Sequence, residues 1–242
     1  MEIFPKIVFS DFDGTLTEQG KFSPVFFDVL NLIKRKKSEL VIVTGRPLSW
    51  AHFLLTHFEL NCVVTEGGGM VSIRKGESEF FDDIPLINEN HLDHLQSETN
   101  NLLKKFPQIR LSEDSRCRVT DRAIDLILLK EVKQDEEIEK FFEEAQINFS
   151  RSNVHLNFWS GNVSKRRSIE YYLNLRKVDQ TDCLFFGDSL NDQSAFEFIE
   201  HSVGVANISS VEKKLKFLPK TILRGCENEE INGVYNYLKN NL

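Results

Sequence analysis

Apolar residues along this chain come in two rhythms. Short unbroken runs, Ile7-Val8-Phe9, Leu40-Val41-Ile42-Val43 and Cys62-Val63-Val64, stand between longer stretches in which apolar positions recur every three or four residues. Such runs predict strands buried on both faces, and the recurring pattern predicts helices laid over them. Ser23-Pro24 supplies a helix start, after which Phe26, Val29, Leu30 and Ile33 fall on one face. Pro47 opens a second helix, with Trp50, Phe53, Leu54 and Leu55 expected toward the core. Strand alternating with helix in this way predicts an α/β fold, a doubly wound, Rossmann-like parallel sheet.

The rhythm then changes. Met70 to Phe81 reads as a polar hairpin turning near Lys75-Gly76, and Asn88 to Phe106 as a polar helix carrying Leu92, Leu95, Leu102 and Leu103. Residues 109–113, 117–130 and 154–159 read as strands and 135–145 as a helix, an order that suits a small α+β module. From Ser164 the first rhythm resumes. A helix through Leu175, a strand over 182–186, helices over 190–199 and 209–217, strands over 202–205 and 221–223 and a last helix over 228–238 complete it. The expected organisation is a core of residues 1–81 and 163–242 interrupted by an α+β insertion at 82–162.

Composition narrows the function classes. Forty per cent hydrophobic and 28 per cent charged residues in 242 describe an ordinary globular chain, and a formal net charge of −7 argues against a nucleic-acid partner. The one dense basic run, Lys34-Arg35-Lys36-Lys37, falls at a predicted helix end, where cations complement the dipole. The four cysteines lie far apart and imply neither a disulfide framework nor a zinc site. No apolar stretch reaches the roughly 20 residues of a membrane span, so a cytoplasmic protein without a membrane partner is expected.

The first apolar run ends in Asp11-Phe12-Asp13-Gly14. Residues i and i+2 of an extended segment point the same way, and two like charges so placed are costly unless a cation or a proton is shared. Alone, the pair is equally an acidic turn. Thr44-Gly45 follows the second strand, Lys165 opens the helix after the insertion, and Gly187-Asp188-Ser189-Leu190-Asn191-Asp192 follows a later strand. Singly, Thr44 is a turn residue, Lys165 surface charge beside Arg166 and Arg167, and Asp192 a helix cap. Together at strand and helix ends they indicate one site, where open α/β sheets place their ligands.

These pieces, DFDGTLT, VIVTG, the lone lysine and GDSLND in that order, resemble the four motifs of the haloacid dehalogenase superfamily of phosphohydrolases, with the insertion placed as one large branch places its cap. The resemblance implies a phosphatase with Asp11 as nucleophile and Asp13 as the group that protonates the leaving oxygen and then takes a proton from water. It also implies Mg²⁺, held by Asp11, Asp188, the backbone carbonyl of Asp13, and Asp192 directly or through water. Thr44, Gly45, Lys165 and Asn191 would bind the phosphate, with Lys165 opposing transition-state charge. The cap would choose the substrate, a small phosphorylated metabolite. Val154-His155-Leu156-Asn157-Phe158-Trp159 alternates, so His155, Asn157 and Trp159 face away from Val154, Leu156 and Phe158. These three, with Glu66 and Arg118, are the candidates for specificity, while His91 and His94 read as a solvated helix face.

Similar caps belong to phosphatases of sucrose phosphate, trehalose phosphate and mannosyl-phosphoglycerate, which implies a sugar phosphate. A phosphomutase or phosphotransferase, or a binding module without turnover, are the rival readings. Two features depart from the family pattern. Glu66-Gly67-Gly68-Gly69 stands where Glu-Asn-Gly-Ala is usual, and Glu18-Gln19-Gly20 replaces the proline-alanine-arginine segment typical of phosphomannomutases.

Overall fold

Strand β1 (Ile7–Ser10) is buried on both faces, as its unbroken apolar run requires. Val8 packs with Phe12, Phe26, Leu54 and Val234 on one side of the sheet, and Ile7 and Phe9 with Ile169, Tyr172 and Phe196 on the other. The computed structural model describes residues 4–76, 80–151 and 154–241. After β1 come α1 (Pro24–Arg35), β2 (Glu39–Val43), α2 (Leu48–His57), β3 (Cys62–Thr65), β4 (Met70–Arg74) and β5 (Phe81–Pro85). The insertion contributes α3 (Glu89–Lys105), β6 (Asp121–Asp125), α4 (Leu126–Val132), α5 (Asp135–Glu144), β7 (Asn148–Arg151) and β8 (His155–Trp159). The chain returns through α6 (Lys165–Arg176), β9 (Cys183–Gly187), α7 (Gln193–Phe198), β10 (Ser202–Gly204), β11 (Thr221–Ile222) and α8 (Glu230–Asn241).

Among the described residues, eight strands form the main sheet in the order β11-β10-β9-β1-β2-β3-β4-β5. All pairings from β11 to β3 are parallel, so β1, β2 and β9 end on the same edge of the sheet. This is the doubly wound α/β core the alternation predicts, and its strand order reverses beside β1, where such sheets open a crevice. No helix among the described residues is long and apolar enough to cross a membrane.

The hairpin over 70–81 is not a separate polar ribbon. β4 pairs antiparallel with β3, and β5 with β4, so the main sheet gains two antiparallel edge strands. Because β5 runs to Pro85, residues 82–85 belong to the main sheet and not to the insertion, which gathers from α3 onward. Buried Met70 and Val71 tie β4 to the core and draw its partner strand with it.

Inside the insertion the strand assignments shift. Residues 109–113 form no strand, and Cys117 lies in a 3-10 turn over Glu113–Cys117. Of the expected strand over 117–130 only β6 is extended, and Leu126-Ile127-Leu128-Leu129 is helical in α4. A short apolar run is compatible with either state, and here Leu129 is buried while Ile127 is 74% exposed, a helical division of faces. The unforeseen β7 completes an antiparallel sheet in the order β6-β8-β7. Leu156 and Phe158 of β8 pack under α3 and α5 with Leu95, Leu102 and Phe142, whereas Val154 lies outside this core, 60% exposed.

Elsewhere the differences are local. Ser23 caps α1 by position but its hydroxyl makes no cap bond, Phe53 of α2 is exposed, and 3-10 turns over Ala206–Ser210 and Glu212–Lys214 replace the helix expected over 209–217.

The helical assignment of 126–132 makes a direct prediction for stability. Leu129→Ala is expected to cost about 2–5 kcal/mol and Ile127→Ala no more than about 0.5 kcal/mol, read from urea unfolding. A strand would expose both members of this i, i+2 pair, or bury both.

Candidate active site

The carboxyl ends of β1 and β9 and the first residue of α6 meet at Lys165. Its side chain is 1% exposed, and its ammonium donates to Asp11 Oδ1 at 2.5 Å and to Asp192 Oδ1 at 2.6 Å. Asp11, Asp188 and Asp192 present carboxylate oxygens within 4.8 Å of one another. Burial raises the Asp11 carboxyl to about 7, opposed by Lys165 and reinforced by Asp192. Burial, with the charges of Asp11 and Asp192, also lifts Asp188 well above the usual carboxylate range. The same burial works against the charge on Lys165, but Asp11 and Asp192 outweigh it and hold the ammonium above the ordinary lysine value.

The loop after β9 is folded around Asp192. Its Oδ2 accepts from the backbone N–H groups of Asp188 and Ser189 at 3.0 and 2.9 Å and from the Ser189 hydroxyl at 3.1 Å. A Cβ on Gly187 would stand 2.6 Å from the Asp192 Cγ, so glycine is required there. Gly14 answers the same need opposite, with φ +80° and a Cβ position 2.5 Å from Asp188 Oδ2. Asp188 is steadied by the Thr15 hydroxyl at 3.1 Å and by the amide of Asn207 at 2.8 Å, which also bonds the Gly14 carbonyl. Sequence reasoning missed Asn207, because nothing in the chain order brings residue 207 to residue 14. Asn191 is exposed and its amide oxygen accepts from Ser189, so no bond ties it to the acids.

Asp13 stands apart from this acidic group. Its carboxylate is 42% exposed and is held by Arg46, another residue the sequence reading passed over, through Nε at 2.8 Å and Nη2 at 2.6 Å. Asp13 therefore contributes no carboxylate to the acid cluster, leaving its backbone carbonyl as the expected donor. Thr44 is buried at the end of β2, beside β1, and its hydroxyl oxygen accepts from the Arg46 N–H at 3.1 Å while keeping its own proton to donate. Gly45 is engaged through its carbonyl, which accepts from Arg118 at 3.1 Å.

Two specificity candidates prove to join the insertion to the core. Glu66, 1% exposed and at φ +55°, accepts from the backbone of Val119 and Thr120, from the Thr120 hydroxyl, and from the Leu48 N–H. Arg118, 2% exposed at its side chain, grips Asp114 and Asp121 as well as Gly45. With its donors and acceptors committed to the protein, neither residue presents a polar group to a ligand; each fixes how the insertion sits over the second motif.

The remaining candidates share one face of the small sheet. Cross-strand pairing puts Asp121, Ala123 and Asp125 beside Trp159, Asn157 and His155, with Asn148 and Ser150 on the far side. Asn157 donates to Asp121 Oδ2 at 3.0 Å, and His155 Nε2 lies 3.0 Å from Asp125 Oδ1. Trp159 lines a cavity of 320 Å³ with Asn148, Gly161, Asn162 and Val163, the segment that leads to Lys165. His91 and His94 are not a solvated face: both Nδ1 atoms lie against the buried Ser160 Oγ, at 2.9 and 3.0 Å.

Lys165 is shared between Asp11 and Asp192 with the half-buried Asp188 beside them, so carboxylates outnumber the one ammonium, and oxygen donors of this kind suit a hard divalent cation. The residues present fit a metal site formed by Asp11, Asp188 and Asp192.

The Glu66 junction makes a prediction of its own. Glu66→Gln replaces an acceptor by a donor facing backbone N–H groups, and is expected to cost about 1–3 kcal/mol. Hydrogen exchange at the Val119 and Thr120 amides should quicken while amides of β1 stay protected.

Against this geometry stand the relatives. A family model described as haloacid dehalogenase-like hydrolase matches residues 8–96 and 82–238. A phosphoglycolate phosphatase of Methanobrevibacter smithii is 25% identical over 232 residues, 93% of each chain. One from Picrophilus torridus is 22% identical over 236 residues, 96% of this chain and 91% of its own. Among solved structures, a Thermoplasma acidophilum protein superposes with a TM-score of 0.74 at 17% identity, over 98% of this chain and 99% of its own. The sucrose-phosphatase of Synechocystis sp., solved with sucrose and phosphate, gives 0.68 at 14% identity, over 99% and 98%. The family match runs through core and insertion alike, and the chain belongs to the haloacid dehalogenase-like hydrolase family, as a phosphatase.

Proposed function

We propose that this phosphatase hydrolyses a small phosphate monoester, with a sugar or another polyol as leaving group, through an aspartyl-phosphate on Asp11 and with Mg²⁺. The observation that carries the reading is Lys165 bonded to both Asp11 and Asp192, with Asp188 alongside. An Asp11 oxygen attacks phosphorus, the bond to the leaving oxygen breaks, and Asp13 supplies that oxygen with a proton. Asp13 then takes a proton from water, whose oxygen attacks phosphorus and releases Asp11 and inorganic phosphate. Lys165 holds the Asp11 oxygen in line and opposes the charge that gathers on the transferring group. Thr44 donates its hydroxyl proton to a phosphoryl oxygen. Asp11, Asp188 and Asp192 would hold Mg²⁺, which when bound offsets the repulsion between carboxylate and phosphate.

The insertion supports the leaving-group class. Its candidate face carries two carboxylates, two amides, a histidine, a hydroxyl and an indole, and none of these residues is a lysine or arginine. The amides, the hydroxyl and the indole suit the hydroxyls and ring of a polyol, while Asp121 is buried and taken up by Arg118 and Asn157 and Asp125 is paired with His155. The names of the two phosphoglycolate phosphatases favour a second reading, a phosphorylated hydroxy acid.

Phosphate release from 4-nitrophenyl phosphate is expected to require Mg²⁺, to stop with EDTA, and to fall at least about a thousandfold in Asp11→Asn. Metal-independent release that survives the substitution would overturn the mechanism. Across sugar phosphates and 2-phosphoglycolate, a sugar phosphate is expected to be preferred. Asn157→Ala and Trp159→Ala should each lower its kcat/KM by about tenfold or more, leaving the aryl phosphate nearly unchanged. Preference for 2-phosphoglycolate would favour the second reading.

A further inference from the structure

Asp13 and Asp11 differ in how they are held. Asp11 is buried against Lys165, but the Asp13 side chain is 42% exposed and depends on Arg46 for its orientation. Arg46 is fixed at both ends. Its N–H donates to Thr44 Oγ1 at 3.1 Å and its carbonyl accepts from the Glu66 N–H at 2.9 Å. At the tip, the guanidinium lies over the Trp50 ring, 4.6 Å from its centroid, and Trp50 packs against Phe12, the residue between the two aspartates. Two parallel N–H donors then reach the two Asp13 oxygens.

We propose that Arg46 is a positioning residue for proton transfer, its guanidinium and the Trp50 ring together aiming the Asp13 carboxylate at the leaving oxygen. The inference rests on Asp13 being the acid/base group. An exposed carboxylate explores several rotamers, and each rotamer that turns away removes it from the reacting geometry. A planar fork bonded to both oxygens fixes the plane of the carboxyl group, which a point charge cannot do. Each carboxylate oxygen still keeps acceptor capacity beyond the bond to Arg46, so the pair leaves Asp13 able to exchange a proton.

The test compares leaving groups that need protonation to different degrees. Single-turnover release of the alcohol from 4-nitrophenyl, phenyl and benzyl phosphate, with saturating Mg²⁺, is measured for the wild type, Arg46→Gln, Arg46→Lys and Asp13→Ala. Arg46→Gln is expected to lose roughly 10–100-fold more rate on benzyl phosphate than on 4-nitrophenyl phosphate, in the bond-breaking rate and not in KM. Arg46→Lys, which keeps the charge and loses the fork, should recover only part. Circular dichroism melts report folding, and Arg46→Lys carries the comparison if Arg46→Gln does not fold. Equal losses on all three esters, or losses confined to KM, would overturn the proposal. If Asp13→Ala shows the leaving-group dependence and the Arg46 variants do not, the positioning role fails while the acid/base reading stands. If Asp13→Ala itself shows none, the acid/base reading fails and the proposal goes with it.

Discussion

A lysine ammonium with almost no access to water, shared between two carboxylates, is the constraint on which this structure turns. Burying the Asp11 and Asp192 carboxylates with one ammonium at a sheet edge costs several kcal/mol per ion in lost hydration, so a buried ion group of this kind is weak evidence of a role in stability. What the arrangement secures is a fixed negative site with a cation already in register. Lys165 needs Asp11 from β1 and Asp192 from the loop after β9, so the parallel pairing of β1 with β9 and the position of α6 are all prerequisites for it.

The same reasoning explains why the loops are built as they are. Asp192 cannot bond Lys165 unless its other oxygen is satisfied, and the turn of residues 188–192 wraps its N–H groups around that oxygen. Asp188 cannot approach Asp11 unless Gly14 has no side chain. Thr15 and Asn207 complete its bonding from two further segments. Asp188 and Asp192 are thus oriented by backbone and side-chain neighbours outside the proposed chemistry, and a metal or phosphate would meet groups already in place.

A second set of buried charges links the insertion to the core. Glu66 stands just past β3 in the left-handed region, a strained conformation for a non-glycine residue that its backbone acceptor role over-determines. Arg118 answers from the insertion by bonding Gly45 in the second-motif loop. The insertion is therefore seated through the loop that carries Thr44 and Arg46, so its placement and the orientation of Asp13 depend on the same few bonds.

Much of this was legible in the chain itself. The runs ending at Asp11, Thr44 and Asp188, and the helix opening at Lys165, follow from local periodicity, and a parallel sheet delivers strand ends to one edge whatever its loops contain. Local pattern could not separate strand from helix at 126–129, where either state buries apolar side chains, nor reveal β7, whose polar sequence is extended because β8 pairs with it. The partners of Asp13 and Asp188 were likewise hidden: Arg46 and Asn207 are ordinary polar residues until the fold brings them within reach, 33 and 19 positions away. Glu66 and Arg118 had the composition of ligand contacts and were used to fasten two parts of the chain together. Sequence alone determined the alternation of strand and helix in the core and the residue types at the candidate strand and helix ends, because both are set by nearest neighbours along the chain. Tertiary structure alone decided which charges are spent on one another and which remain for a substrate, because that depends on distances between segments the chain order does not encode.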